Sequence, residues 1–389
     1  MGRRSMMGPM DAAMVAAAVP VFFALMAVEW IWSHSRGRST YRFSDAVASL
    51  GCGIVQQVVA VYQVFLVVGV YALIAEALAG RGWALPLPLW AQWVVAFVGV
   101  DLAYYLFHRA SHRVNILWAT HVVHHQSEEY NLSTALRQGF IQGAAAAPFY
   151  WPLAVLGVTT PVFVACATIN TLYQFWIHTR LIKKLPGPVE ALWNTPSHHR
   201  VHHGIDPEYI DKNYAGVFIV WDRLFGTFLA EGAVEPNYGV VQPLRSFNPL
   251  WAQVHYFLEL GRVSLRAQRW KDKIWVWFAP PEWGPADWGG LKTVPAVDRR
   301  TRALYDVPVP LHTLILIATQ FAMVTGATLL LQLYGANWGA LRSTPLIAWV
   351  CLTALGWGGH LEGKVWVRAL TIPRMLCLLG AGAVYIGYW

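Results

Sequence analysis

Histidines are concentrated in the middle of this chain. The sequence has 14 histidines, and ten of them fall between residues 108 and 203. These ten are His108, His112, His121, His124, His125, His178, His198, His199, His202 and His203. Neutral imidazole is the commonest protein ligand of transition metals, so the spacing of these residues decides whether one fold can bring them to a common site.

The spacing within the ten follows the period of a helix. His108 and His112 are four residues apart, and the stretches HVVHH over 121–125 and HRVHH over 199–203 repeat one pattern of i, i+3 and i+4. Residues i and i+4 share a helix face, and residue i+3 lies beside them. The pattern therefore predicts that imidazoles from several helix ends converge in one cavity.

Two simpler interpretations explain the pattern less well. A single histidine on an apolar helix is usually a hydrogen-bonded core residue, and a histidine-rich run can be a solvated surface tract. Neither explains two H-x-x-H-H boxes and an H-x-x-x-H pair at the ends of apolar segments, where an unpaired polar group is costly. We therefore expect a metal site.

The number of ligands predicts two metal ions. A structural zinc site needs about four ligands, whereas this set offers nine or ten. Imidazole suits zinc, copper, iron and nickel. No Asp or Glu occupies the ligand spacing, unlike soluble di-iron bundles, and a shell of neutral imidazoles favours lower-valent iron. We expect two irons, with zinc as a possible occupant of purified protein, and Gln174, one turn before His178, as a further ligand, direct or through water.

The composition predicts a membrane protein. The chain has 389 residues, of which 56% are hydrophobic and 13% charged, against about 25% charged in an average soluble domain. The apolar residues form long runs, over about 10–32, 47–79, 89–107, 311–334, 346–357 and 365–388. We expect an all-α, polytopic membrane protein with a histidine-rich di-metal cap.

The runs divide the chain into three regions. Residues 1–100 hold the N-terminal transmembrane helices. Residues 101–308 form the histidine-box region, with a helical hairpin over 139–179 that bends at the GVTTP stretch and need not cross fully. Residues 309–389 form a three-helix membrane region.

Basic residues predict the orientation of the chain. The segment after Thr179 is rich in Lys and Arg and ends in Arg299, Arg300 and Arg302. The positive-inside rule places this segment, and with it the histidine cap, on the cytoplasmic face. The net charge of +8 then indicates contact with anionic lipid rather than nucleic acid. The abundance of tryptophan and alanine favours a bacterial inner membrane as the location.

The histidine boxes resemble those of the fatty acid hydroxylase and sterol desaturase superfamily of membrane di-metal enzymes. The resemblance rests on HVVHHQSEEYNLSTALRQ, YQFWIHT, NTPSHHRVHHG and DKNYAGVFIVWDRLFGTF, and it is strong over about 101–231. These stretches are most similar to the ether-lipid-cleaving branch. No G-x-S-x-G motif or triad favours a hydrolase.

The resemblance implies an oxygen-dependent lipid monooxygenase with two irons, O2 and tetrahydrobiopterin as a reductant. Its lipid substrate would lie in the bilayer, and hydroxylation of the carbon next to the ether oxygen of an alkylglycerol would release a fatty aldehyde. The alternatives are a sterol, fatty acyl or carotenoid hydroxylase or desaturase of the same superfamily, and a metal carrier without chemistry. A pocket between the membrane helices, lined by residues such as Tyr105, Phe140 and Phe175, would hold the chain.

Two further sets of residues are candidates for supporting roles. One set could accept a hydrogen bond from a ligand imidazole and fix its tautomer, with a cap or turn as the alternative: Asp101, Asn194, Asp211 and Asp222. The other set follows a box directly and could bind a polar headgroup or a pterin, with a capping role as the alternative: Glu128, Glu129, Tyr130 and Asn131.

Overall fold

The structure is a computed structural model that describes residues 9–295, 297 and 302–386. Arg299 and Arg300 lie outside the described residues. Seventeen α-helices are present in the described part: α1 (Pro9–Ser35), α2 (Phe43–Val64), α3 (Val70–Gly80), α4 (Leu89–Arg113), α5 (Asn115–His125), α6 (Leu132–Ala135), α7 (Gln142–Tyr150), α8 (Pro152–Val155), α9 (Thr160–Tyr173), α10 (Gly187–Leu192), α11 (Pro196–His202), α12 (Val220–Leu224), α13 (Pro249–Arg266), α14 (Trp270–Trp275), α15 (Leu311–Trp338), α16 (Ala340–Leu361) and α17 (Thr371–Ile386). A π-helical segment, Phe65–Gly69, joins α2 to α3. None of the described residues forms a β-strand, so the expected all-α fold is confirmed.

Five helical segments are long and apolar enough to cross a bilayer: Ala17–Ser35, Phe43–Gly80, Leu89–Arg113, Leu311–Gly335 and Val365–Ile386. An apolar helix of about 20 residues spans the hydrocarbon core. Large apolar side chains on these segments, such as Trp90 and Ile372, are exposed on the protein surface, as lipid-facing residues are. The chain is an integral membrane protein.

The segment 139–179 consists of two arms, α7 with α8 and then α9, joined by a turn over 156–159. Its second arm, α9, has 14 residues and is about 21 Å long, too short to cross a bilayer of about 30 Å. The turn contains Gly157, whose φ is +80° and where a Cβ atom would lie 2.1 Å from the Leu85 carbonyl oxygen. Only glycine allows both this backbone conformation and this close approach.

A break at Val114 places α5 beside α4. Val114 has an extended conformation (φ −130°, ψ 116°) that ends α4. The Asn115 backbone N–H then donates to the Ala279 carbonyl at 2.9 Å, and its side-chain amide donates to the Val276 carbonyl at 2.9 Å. These bonds hold the start of α5, so the histidines at the end of α4 face those of α5.

The main apolar core joins the early and late helices. Buried residues of α2, including Val55 and Val58, pack with Ile317 and Leu331 of α15 and Trp357 of α16. A second core joins α3, α4 and α9. The second core therefore holds α4, which ends at His112 and Arg113, against α9, which ends five residues before His178.

Glu29 connects α1 to the histidine region. Its carboxylate accepts hydrogen bonds from the Leu132 backbone N–H at 2.8 Å, from the Thr179 hydroxyl at 2.5 Å and from the Tyr41 hydroxyl. The side chain is buried. Because Thr179 follows His178 directly, this contact fixes the backbone next to a histidine.

Replacing Glu29 with Ala should destabilise the protein by roughly 3 kcal/mol, because three donors lose a buried acceptor. We expect the midpoint of thermal unfolding of the full chain in detergent to fall by several degrees. Glu76→Ala is the matched control, since Glu76 lies exposed on α3, and its midpoint should not change. Equal midpoints for both variants would show that Glu29 contributes nothing to stability.

Candidate metal centre

Nine of the ten clustered histidines form two groups. Within each group, one ring nitrogen per residue lies within 4.8 Å of all the others. The first group consists of His108, His112, His121, His125 and His202. The second group consists of His124, His178, His199 and His203. All except the half-buried His112 are buried.

Each H-x-x-H-H box contributes to both groups. In the box over 121–125, His121 and His125 belong to the first group and His124 to the second. In the box over 199–203, His202 belongs to the first group and His199 and His203 to the second. On a helix, i and i+4 are about 40° apart around the axis, whereas i+3 lies about 60° to the other side of i. Each box therefore presents imidazoles on two sides of its helix, one side for each group. The two groups are neighbours, since the His125 and His203 rings stack with centroids 4.4 Å apart.

Carbonyl oxygens orient five of the rings through Nδ1, at 2.7–2.9 Å. The pairs are His108 with the Tyr214 carbonyl, His121 with Gln142 Oε1, His124 with the Arg137 carbonyl, His178 with the Gln174 carbonyl and His202 with the Lys212 carbonyl. A carbonyl oxygen only accepts, so Nδ1 carries the proton and Nε2 is left with a lone pair.

The opposed Nε2 atoms fit a metal cation. Nε2 of His108 lies 3.0 Å from Nε2 of His121, and Nε2 of His178 lies 3.2 Å from Nε2 of His124. In each pair both Nε2 atoms are acceptors, so no hydrogen bond can form between them. Two imidazoles bound to one metal at about 2.0–2.1 Å hold their nitrogens about 3 Å apart. Nε2 of His202 is also buried and has no hydrogen-bond partner.

Burial keeps the rings neutral. It lowers the pKa of His121 and of His178 to about 4, and that of His202 to about 3, because a charged imidazolium loses its hydration inside the protein. At pH 7 these rings are unprotonated at Nε2, which is the form that binds a metal.

His198 lies outside both groups. Its Nε2 is 2.9 Å from the Glu190 carboxylate, which also accepts from the Ser197 hydroxyl at 2.7 Å. The carbonyl of His198 accepts from the Asn213 amide at 3.0 Å. These contacts attach α11 to α10, and the adjacent His199 points the other way, into the second group.

Gln174 is beside the second group, but its amide nitrogen is used elsewhere. Nε2 donates to Asn170 Oδ1 at 2.8 Å, while the Gln174 backbone carbonyl orients His178. The Gln174 side chain also lines a cavity next to the histidines. Its backbone therefore contacts a histidine ring, and its side chain contacts the cavity.

Two of the expected supporting carboxylates act on the backbone rather than on a ring. Asp222 accepts from the Tyr214 and Ala215 backbone N–H groups, both at 2.8 Å. The Tyr214 carbonyl orients the His108 ring. Asp222 therefore supports this ring indirectly, by holding the backbone of Tyr214. Asp101 accepts from the Val217 N–H at 2.7 Å and the Trp221 indole at 2.8 Å, and so holds the same loop.

Of the other two candidates, Asn194 holds loop backbone and Asp211 pairs with an arginine side chain. The Asn194 amide donates to the Ala215 carbonyl at 2.6 Å. Asp211 pairs with Arg113 and has a left-handed conformation, with φ 61°; it precedes Lys212, whose carbonyl orients His202. The tautomers of the rings are therefore set mainly by backbone carbonyls, to which these residues give support.

The four residues after the first box have partners within the protein. Glu128 lies 3.6 Å from Arg42, and Glu129 pairs with both Arg42 and Arg180 at 2.8 Å. Tyr130 donates to the Ile177 carbonyl. Asn131 caps α6, its side chain accepting from the Ser133 N–H. These contacts place the four residues in a structural network beside the second group, and they do not line the cavity described next.

A cavity of about 480 Å³ opens from the histidines into the space between the membrane helices. His121, His124 and His178 line it at one end, so both groups face it. Phe175 lines it as expected, together with apolar residues of α1, α4, α9 and α15. Tyr105 and Phe140 do not: Tyr105 bonds to Thr227, and Phe140 packs against the main core.

Some residues at the site carried no signal in the sequence. The carbonyls of Arg137, Lys212 and Tyr214 belong to backbone, which every residue has. Gln142 orients His121 through its side chain. It is the polar first residue of the apolar stretch QGAAAAPFY, and this contrast could have identified it.

Comparison with known proteins matches this region to a family. Residues 93–227 match the family model described as fatty acid hydroxylase. Alkylglycerol monooxygenases from Xenopus tropicalis and Homo sapiens are each 42% identical, over 273 and 274 residues, which cover 70% of this chain and 60% of each relative. An ornithine lipid hydroxylase, OlsE, from Rhizobium tropici is 28% identical over 215 residues, 54% of this chain and 64% of the relative. No solved structure shows significant similarity.

The matched family region contains His108 to His203, and with them both histidine groups. The chain spans about 60% of the length of the alkylglycerol monooxygenases that it matches. Residues 93–227 are thus similar to the fatty acid hydroxylase family, in a chain that is 42% identical to an alkylglycerol monooxygenase over 70% of its length.

Proposed function

We propose that each histidine group holds one iron ion and that Gln174 adjusts the centre from the cavity side. The opposed Nε2 lone pairs of His108 with His121 and of His124 with His178 support this, because only a cation between them removes their repulsion. His198 is left out of the ligand set and positions α11 through Glu190.

The function that the geometry supports best is oxygen-dependent hydroxylation of a lipid carbon next to the ether oxygen of an alkylglycerol, which releases a fatty aldehyde. The observation that carries this proposal is the cavity, because it joins both histidine groups to the space between the membrane helices. The similarity to alkylglycerol monooxygenases adds the ether-lipid substrate. We further propose tetrahydrobiopterin as the electron donor and a cytoplasmic position for the histidine cap, in a bacterial inner membrane.

Bound iron would supply the activation of dioxygen and the removal of hydrogen from the substrate. The chain's own residues do the rest. Phe22, Phe107 and Phe175 give the alkyl chain an apolar surface and keep water from the reacting carbon,. The rings of His121, His124 and His178 end the cavity and determine which carbon reaches the metals. Hydroxylation next to an ether oxygen produces a hemiacetal, which separates into aldehyde and alcohol without further help.

A lipid panel tests the reaction. Iron-loaded membranes that contain the full chain receive an alkylglycerol, a free fatty acid or a sterol under identical conditions, with tetrahydrobiopterin and oxygen. We expect aldehyde from the alkylglycerol alone, measured by mass spectrometry. Hydroxylated acid or oxidised sterol with the ether intact would move the activity to another branch of the superfamily.

Removal of one ligand from either group should reduce metal binding. We expect His202→Ala and His124→Ala each to lower the iron-to-protein ratio to about half or less, because each metal needs about four ligands or more. Elemental analysis of purified protein measures this ratio. His198→Ala is the control, and its ratio should equal that of the unmodified chain; loss of metal there would return His198 to the ligand set.

Gln174→Ala should leave most of the metal bound but slow turnover. The backbone carbonyl that orients His178 remains in this variant, whereas the amide beside the cavity is lost. Metal content and aldehyde release are measured on the same preparation. Full activity would reduce Gln174 to a packing role, and loss of metal would make it a ligand.

A further inference from the structure

Three glutamines form a chain of amides inside the membrane-spanning helices. Gln57 Nε2 donates to Gln56 Oε1 at 2.8 Å, and Gln332 Nε2 donates to Gln57 Oε1 at 2.7 Å. All three line the cavity, from α2 on one side and α15 on the other. A polar side chain within a membrane-spanning segment costs free energy unless it has a hydrogen-bond partner. An unpaired atom at the end of this chain of amides therefore indicates a place for a ligand.

The amide chain ends in an acceptor without a donor. Gln332 Oε1 is buried and has no hydrogen-bond partner, and the same is true of Thr325 Oγ1. Both residues line the cavity. Thr319 and Thr328, on the same helix, each donate to the carbonyl four residues earlier, at 2.9 and 2.8 Å. Thr325 makes no such bond, and its hydroxyl is therefore free for a ligand.

The two free groups lie on one face of α15. Thr325 and Gln332 are seven residues apart, which is close to two full turns. A glutamine side chain on a helix leans toward the preceding turn, so the Gln332 amide leans toward Thr325. Two neighbouring hydroxyl groups on one ligand could therefore donate to both.

The amide chain and the histidines line the same cavity. A Cβ atom at Gly53 of α2 would lie 2.2 Å from the Leu136 carbonyl, and Gln138, two residues later, reaches Nδ1 of His124 at 3.5 Å. Gln57 is one turn, about 6 Å, further along α2 than Gly53. A ligand headgroup at the amides therefore lies in the cavity that His121, His124 and His178 also line.

We propose that Thr325 and Gln332 bind the two hydroxyl groups of a lipid diol headgroup, and that the alkyl tail lies against the opposite wall of the cavity. That wall consists of apolar side chains such as Phe107 of α4 and Phe163 and Val164 of α9. The inference rests on the proposed function for the ether lipid itself. It adds the residues that select a glycerol-type headgroup.

Two ethers with the same reacting carbon test this selection. Hexadecylglycerol has the diol and hexadecyl methyl ether lacks it. Binding of each is measured by displacement of radiolabelled hexadecylglycerol from the iron-loaded full chain in lipid nanodiscs. The unmodified chain should prefer the diol. Thr325→Val and Gln332→Leu should each weaken diol binding about tenfold, since each loses one hydrogen bond to a buried group, and should leave methyl ether binding unchanged.

Thr328→Val is the matched control, because Thr328 lines the same cavity but its hydroxyl already donates to the Val324 carbonyl. Its preference for the diol should equal that of the unmodified chain. Equal weakening of both ethers in the Thr325 and Gln332 variants would overturn the proposal and show that the amides only pack α2 against α15. An absence of diol preference in the unmodified chain would overturn it as well.

Aldehyde release from both ethers, measured on the same nanodiscs, reports separately on the proposed function. If the diol preference depends on Thr325 and Gln332 but neither ether is cleaved, the headgroup site stands and the proposed reaction fails. If both ethers are cleaved and the variants keep the diol preference, the reaction stands and the headgroup site fails.

Discussion

A hydrogen bond from Nδ1 to a fixed carbonyl oxygen determines where five of the nine grouped histidines point. This hydrogen bond fixes both the tautomer and the orientation of the ring, so the Nε2 lone pair points in a defined direction. A metal site then requires only that several such lone pairs point to the same place. Many polar side chains around the site hold the backbone segments whose carbonyls accept these hydrogen bonds. Asp101 and Asp222 hold the loop that presents the Tyr214 carbonyl, so residues far from any ring contribute to its orientation.

Burial is the cost of this arrangement. The rings lose their hydration, and their pKa values fall well below those of exposed histidines, as for His202 at about 3. Neutral rings that face each other through lone pairs are unfavourable without a cation. Charged contacts outside the groups compensate for the buried polar groups: Arg200, inside the second box, pairs with Glu231 and donates to the carbonyls of Thr179 and Ile182.

Helical periodicity was sufficient to predict the convergence of the histidines but not their partners. The i, i+3 and i+4 spacing follows from helix geometry, and long apolar runs predict membrane helices, so both features can be derived from the chain alone. His198 has the same local spacing as its neighbours and differs only because Glu190, eight residues earlier, receives its ring. The Arg137 carbonyl accepts from Nδ1 of His124, and its position depends on the backbone path, which no side-chain pattern records. The free hydroxyl of Thr325 likewise appears only when the bonds of neighbouring threonines are compared.

The division of each histidine box between two groups has a consequence for biosynthesis. The first group needs His108 and His202, and the second needs His124 and His203. Neither group is therefore complete until residues 202 and 203 have left the ribosome, by which time the helices α1 to α4 have already been made. A metal ion that needs all the ligands of one group can therefore bind only after His202 and His203 have been synthesised, and any shorter nascent chain presents partial groups.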